Sequence, residues 1–82
     1  MVMYEAGMLA RSKAGHDKAQ MYIIKEADDT YVYLVDGRIR TLDHPKKKKK
    51  KHVQIVHGTY NIKELDDAGI RKLIKDWMKE EK

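Results

Sequence analysis

The sequence contains no cysteine, a single proline and no apolar run long enough to cross a membrane. Without cysteine, the chain has no disulfide staples, no thiolate metal site and no thiol nucleophile, which fits a reducing compartment. A membrane helix needs roughly 18 consecutive apolar residues, and no stretch approaches that length. The opening Met-Val-Met-Tyr-Glu has neither the basic start nor the apolar run of a secretory signal. We therefore expect a cytoplasmic location.

Groups that carry out catalysis or bind metals are also scarce. The one serine, Ser12, has no histidine beside it in the sequence, and the four histidines lack the i, i+4 spacing of a helical zinc site. His16-Asp17 and Asp43-His44 are chain neighbours, whose side chains point to opposite faces when they lie on a strand. The five glycines are scattered and form no phosphate-binding loop. We expect no enzyme activity, no metal, no cofactor and no small-molecule substrate.

The basic character of the chain is concentrated in one block. The 82 residues allow one small domain, and 41% apolar with 38% charged residues is a globular composition. The net charge is +5, yet residues 1–45 carry −1 and residues 52–82 carry 0. Six consecutive lysines at 46–51 supply +6. Without this block the protein would be faintly acidic.

The first half of the sequence has the pattern of short strands separated by turn residues. We expect strands over residues 8–12, 21–25 and 31–35. Asp36-Gly37 predicts a two-residue hairpin turn into a fourth strand over 38–42, because this dipeptide readily adopts the required positive φ angles. His44-Pro45 then ends the hairpin, since proline cannot donate to a ladder. A fifth strand over 53–56 makes the lysine run a loop tethered at both ends.

The predicted hairpin also sorts side chains by face. Its register places Val32, Leu34 and Ile39 on one face, as candidate core residues. The opposite face receives Tyr33, Val35, Arg38 and Arg40. One interpretation is cross-strand packing of the tyrosine with the arginines on an exposed sheet. The other is a ligand-facing surface, because arginine and aromatic rings both stack on nucleobases.

The last third of the chain changes to a helical period. Ile70, Leu73, Ile74 and Trp77 fall at i, i+3, i+4 and i+7, which predicts one apolar face of an amphipathic helix. Asp66 or Asp67 is the expected N-cap. We expect the apolar face to pack against the strands. A docking helix for a partner and a second phosphate-contacting surface are the alternatives.

The lysine run has a direct electrostatic consequence. Six extended residues span roughly 20 Å, and duplex nucleic acid presents one phosphate per about 1.7 Å of axis. Several ammonium groups can therefore contact phosphates together, although lysine positions a nucleic acid rather than reading its sequence. Three alternatives stay open: a solvated loop, a nuclear-localisation signal after Pro45, and attraction to a membrane surface. A membrane role is disfavoured because the chain lacks a lipidation signal and a strongly apolar anchor.

The segment from Gly7 to Ile24 resembles the KOW motif of ribosomal proteins and transcription–translation factors. That motif is a strand, a basic glycine-containing loop and a second strand, and here Gly15 lies in the loop before His16 and Lys18. The similarity extends over three further segments, Asp36-Gly37 with Arg40, Pro45-Lys46-Lys47-Lys48 and Lys51-His52-Val53. Together these resemble small bacterial KOW-domain RNA-binding proteins, which are similar to KOW-type large-subunit ribosomal proteins. The resemblance covers about residues 5–57 together with a C-terminal helix, and it implies an SH3-like barrel that binds RNA.

The expected architecture is mainly β. It comprises a small SH3-like barrel of about five strands over residues 1–58 and a C-terminal amphipathic helix within 59–82. The expected function is a non-enzymatic RNA-binding module that contacts structured ribosomal RNA in a ribosome or translation context. The alternative is a protein-interaction adaptor that uses the barrel or the helix, with the lysines contacting an acidic partner. The candidate RNA-binding residues are Lys13, His16, Lys18, Tyr33, Arg38, Arg40, Lys46, Lys47, Lys48, Lys49, Lys50, Lys51 and His52.

Overall fold

Five antiparallel strands and one C-terminal helix make up the fold. The computed structural model describes residues 4–13 and 20–80, without the side chains of 57–59 and 80. The elements are β1 (Met8–Ser12), β2 (Met21–Ala27), β3 (Tyr31–Val35), β4 (Lys46–Lys49), a 3₁₀ turn (Lys50–His52), β5 (Val53–Thr59) and α1 (Asp67–Glu80). The strands form one sheet in the order β4-β3-β2-β1-β5, curled into a half barrel. The expected fold class is confirmed, since this arrangement is consistent with a small SH3-like barrel carrying a C-terminal helix.

Both faces of the curled sheet are apolar. The strands contain consecutive apolar residues, and alternate residues along each strand point to opposite sides. The inner face, inside the curl, holds a buried cluster of Ala10, Tyr22, Ile24, Val32, Leu34 and Val53. On the outer face, Leu9, Met21, Ile23 and Val35 form a second cluster with Ile70 and Ile74 of α1. The sheet thus buries its inner face by curling and part of its outer face under the helix.

Helix α1 is held by its cap and by its apolar stripe. The Gly69 N–H donates to Asp66 Oδ1 at 2.8 Å, so Asp66 is the N-cap. Leu73 and Trp77 pack beside the buried Ile70 and Ile74 against the outer cluster. A helix of 14 residues is marginal in isolation, so this packing stabilises it. Within the described residues, no helix combines the length and apolar character needed to cross a bilayer.

The predicted hairpin over Asp36-Gly37 is wrong. Residues 38–42 form no strand, because Asp36 Oδ1 accepts hydrogen bonds from the N–H groups of Arg38 (2.8 Å) and Arg40 (3.0 Å). The Leu42 N–H is bonded to Asp67 Oδ1 at 2.8 Å, which fastens this segment to α1 instead of to the sheet. The predicted core position of Ile39 is also wrong, since its side chain is 82% exposed.

The partner of β3 is the lysine run itself. Residues Tyr31 to Leu34 pair in antiparallel register with Lys49 to Lys46. The predicted basic loop is therefore a strand followed by the 3₁₀ turn. It lies at the edge of the sheet, where lysine side chains are tolerated and block pairing with other edges.

The predicted surface of Tyr33 with Val35, Arg38 and Arg40 is not formed. Tyr33 and Val35 do share the outer face, but α1 covers Val35, which is fully buried. Tyr33 lies beyond the reach of the helix and pairs with Lys47 instead of Arg40. The two arginines lie outside the sheet, in residues 36–42, which we call the Asp36-anchored loop.

Gly37 provides a test of how the loop packs on the helix. Its φ of +80° is unfavourable for a side chain, and an added Cβ would overlap the Asp67 carbonyl oxygen and lie 2.8 Å from the Arg71 nitrogen. We expect Gly37→Ala to lower the free energy of unfolding by at least about 1–2 kcal/mol, the usual cost of the left-handed conformation. Urea denaturation measures this difference.

The matched control is Arg38→Ala, the next residue, which keeps the same backbone hydrogen bond and lies exposed. We expect it to change stability by less than about 0.5 kcal/mol. Equal urea midpoints for Gly37→Ala and the parent protein would contradict the close packing of the loop on α1.

Candidate nucleic-acid interface

The lysine run presents its side chains in two directions. We call residues 46–52, which comprise β4 and the 3₁₀ turn, the basic edge. Lys47 and Lys49 pair with Tyr33 and Tyr31, so they share the outer face and are exposed. Lys46 and Lys48 oppose Leu34 and Val32 on the inner face, where they are half-buried. Their aliphatic stems cover the rim of the inner core while the ammonium groups reach water.

The 3₁₀ turn of the basic edge is anchored to three other parts of the chain. The Lys50 N–H donates to the Thr30 carbonyl at 2.9 Å, and the Lys13 N–H donates to the His52 carbonyl at 2.9 Å. The Tyr4 hydroxyl lies 3.1 Å from the Lys50 carbonyl and 3.2 Å from the Val53 carbonyl, within hydrogen-bond distance of both. The backbone that carries these cations is therefore fixed before any ligand arrives.

Three of the lysines lie over tyrosine rings of the same molecule. The Nζ atoms of Lys47, Lys46 and Lys50 are 4.3, 5.7 and 5.6 Å from the ring centroids of Tyr31, Tyr22 and Tyr4. These separations are within the range of cation–π attraction. A ring orders the ammonium group without neutralising its charge.

Two tyrosines and two lysines form a mixed surface on the open part of the outer face. Tyr31 and Tyr33 are two residues apart on β3, so their rings share this face with Lys47 and Lys49. Aromatic rings beside cations are the combination with which proteins hold single-stranded nucleic acids. We call these four residues the tyrosine–lysine surface.

Asp28 connects the tyrosine–lysine surface to the turn that precedes β3. Its Oδ1 accepts hydrogen bonds from the N–H groups of Tyr31 (2.6 Å) and Thr30 (2.9 Å), and its Oδ2 accepts one from the Tyr33 hydroxyl (3.2 Å). The two backbone hydrogen bonds, with smaller contributions from that hydroxyl and the nearby Lys47, hold the pKa of Asp28 below its ordinary value. Partial desolvation and the adjacent Asp28 carboxylate raise the pKa of Tyr33. The phenol therefore stays protonated and keeps its bond to Asp28.

The structure brings some of the predicted binding residues together and separates others. Lys13 is exposed at the end of β1, beside His52 of the basic edge. Arg40 lines a shallow recess with Lys46 and Tyr22, so it borders the basic edge on the inner side. Arg38 instead faces α1. His16 and Lys18, which belong to the KOW-like segment of the sequence, lie outside the described residues.

Tyr31 was missed by the sequence analysis, although its spacing from Tyr33 was the available signal. An open recess of about 340 Å³ between Asp29, Thr30, Lys49 and Lys51 was also not predictable, because it depends on the pairing of β4 with β3. This recess places two ammonium groups beside the turn that carries Asp28.

The described residues contain no candidate metal site, and the comparisons with family models and curated proteins found no match. Among residues 4–13 and 20–80, no group of three or more histidine, aspartate or glutamate side chains could hold a metal ion. No protein-family model matches the chain, and no curated protein shows significant similarity to it. The geometry and charge of the basic edge and the tyrosine–lysine surface are therefore the features that indicate a function.

The hydrogen bonds of Asp28 predict a pH-dependent contribution to stability. Because the folded pKa is below the unfolded one, the stabilisation is complete above the unfolded pKa and is lost as the pH falls through the folded pKa. We expect Asp28→Asn to lose less stability than the parent protein as the pH falls. Urea midpoints measured at several acidic pH values give this difference. The control is Asp29→Asn, which removes an adjacent carboxylate but none of the hydrogen bonds of Asp28. The same pH profile in both variants would contradict the assignment.

Proposed function

We propose that this chain is a non-enzymatic RNA-binding module that contacts structured RNA, with ribosomal RNA as the expected target. The observation that supports it most strongly is the basic edge, in which six lysines are carried by an anchored strand and turn. The KOW-like sequence pattern over residues 7–24 adds support from a part of the chain outside the lysine run. A ribosome or translation context and a cytoplasmic location follow from that target.

Phosphate contacts would supply most of the affinity. Lys47, Lys49 and Lys51 are exposed, and each phosphate that they neutralise releases a condensed counterion. Lys13 extends the positive surface across the sheet, because the first strand ends beside the turn. Binding of this kind is strong at low salt and weakens steeply as salt increases.

The tyrosine–lysine surface would discriminate between RNAs that have unpaired bases and RNAs that do not. Unpaired bases in loops or bulges can stack on Tyr31 and Tyr33, while the lysines of the same face hold the flanking phosphates. Duplex RNA offers phosphates but no unstacked base to this surface. The proposal therefore favours RNAs in which single-stranded segments adjoin helical ones.

The salt dependence of RNA binding tests the proposal. We expect the triple variant Lys47→Gln, Lys49→Gln and Lys51→Gln to bind a labelled stem–loop RNA more weakly, with the largest loss at low salt. For single-stranded contacts, each lost phosphate interaction reduces the log–log salt slope by about 0.7, so three should reduce it by about 2. Fluorescence anisotropy across a salt series gives both quantities.

A second triple variant controls for net charge. Lys63, Lys72 and Lys79 are exposed and lie outside the basic edge, so changing them to glutamine removes the same charge from elsewhere. We expect this variant to keep most of the parent salt slope. Equal losses in both triple variants, or a flat slope for the parent protein, would contradict the proposed interface.

A further inference from the structure

A second surface lies between the Asp36-anchored loop and α1. We call it the helix groove, a cleft of about 370 Å³ whose apolar part is formed by Ile39, Ile74 and Met78. Ile74 is buried, whereas Ile39 and Met78 are the exposed large apolar side chains in the described part of the chain, at 82% and 47%. Exposed apolar side chains that face one cleft are a feature of binding surfaces.

The loop that presents Ile39 is tightly held. Asp36 accepts the Arg38 and Arg40 N–H groups, while the Asp36 and Gly37 N–H groups donate to the Arg40 carbonyl at 2.9 and 3.1 Å. Gly37 packs closely on the backbone of α1, and Leu42 is bonded to Asp67. Ile39 is thus exposed on an ordered loop, so little ordering entropy is lost when a partner covers it.

The rim of the helix groove is positively charged. Arg38 from the loop and Arg71 and Lys75 from α1 line it, and all three are exposed. The one carboxylate that lines it, Asp36, is buried and accepts the backbone hydrogen bonds of its own loop. One stripe of α1 supplies both the apolar floor and part of the cationic rim. It has the i, i+3, i+4, i+7 spacing of residues on one helix face and consists of Arg71, Ile74, Lys75 and Met78.

We propose that the helix groove binds an acidic protein segment in which an apolar side chain is flanked by carboxylates. The apolar side chain would cover Ile39 and Met78, and the carboxylates would pair with Arg38, Arg71 and Lys75. Nucleic acid fits this groove poorly, because phosphates and sugars offer no apolar group to cover the exposed aliphatic side chains of Ile39 and Met78. A second copy of this chain fits poorly as well, since the two cationic rims would repel each other.

Methyl NMR with designed peptides tests this site. The probe is a short synthetic peptide with two adjacent leucines between glutamates and aspartates, added to protein labelled at isoleucine and methionine methyl groups. We expect shifts at Ile39 and Met78, and about tenfold weaker binding in Ile39→Ser, because a buried apolar contact is lost. Peptides with serine in place of leucine, or lysine in place of the acids, should not bind.

Charge reversal on the helix supplies the matched pair of variants. Lys75→Glu alters the rim and should weaken peptide binding several-fold, whereas Lys79→Glu makes the same charge change outside the groove and should leave binding close to that of the parent protein. Ile39→Ser should bind the stem–loop RNA as the parent does, so the outcome here is separate from the outcome for RNA binding.

Four binding or NMR results would overturn the proposal. These are no binding of the leucine peptide, equal binding of the serine peptide, methyl shifts that avoid Ile39 and Met78, and RNA that shifts the same methyl groups. Sedimentation that shows a dimer in the parent protein but a monomer in Ile39→Ser would assign the groove to self-association instead.

Discussion

The apolar character of both sheet faces is the constraint on which the rest of this structure depends. Neighbouring residues on β1 and β2, such as Leu9 and Ala10 or Ile23 and Ile24, are fully buried on opposite sides. The curl covers one side, and the other requires α1. A helix of 14 residues is only about 21 Å long, so it covers part of the outer face. The proposed RNA surface lies on the part of the outer face that α1 leaves open. The helix groove lies along the side of α1.

The position of the lysines at a sheet edge protects the fold and also suits the proposed binding of RNA. An edge strand with unpaired backbone groups is a template for aggregation, and lysine is among the residues that suppress such pairing. The same side chains concentrate positive charge where a polyanion can reach it. Edge protection explains why lysine is tolerated in β4, but it does not require six of them or an anchored turn. Those two features are what favour a binding role over protection alone.

Much of the fold was predictable because its signals are local. β1 and β3 match the predicted strands residue for residue, and Asp66 caps α1 as one of the two candidates. The hairpin prediction failed because two hydrogen bonds to the Asp36 side chain and one contact with Asp67 outweighed the turn preference of Asp-Gly. Six identical residues contain no alternation, so the division of the lysines between two faces was invisible in the sequence. The helix groove could not be predicted from the sequence either, since it joins residues from two separate parts of the chain.

The open edge at β4 has a consequence for crowding on a ligand. Like-charge repulsion keeps the β4 strands of different molecules apart, and its range shrinks from about 10 Å at 0.1 M salt to about 3 Å at 1 M. On the proposed function, an RNA that held several copies would have a similar effect, because its phosphates would neutralise the lysines and neighbouring copies would lie close together. Under those conditions the lysines of β4 protect the sheet edge less well against strand pairing between molecules. On the proposed function, edge pairing between copies therefore becomes more favourable as more of them share one RNA.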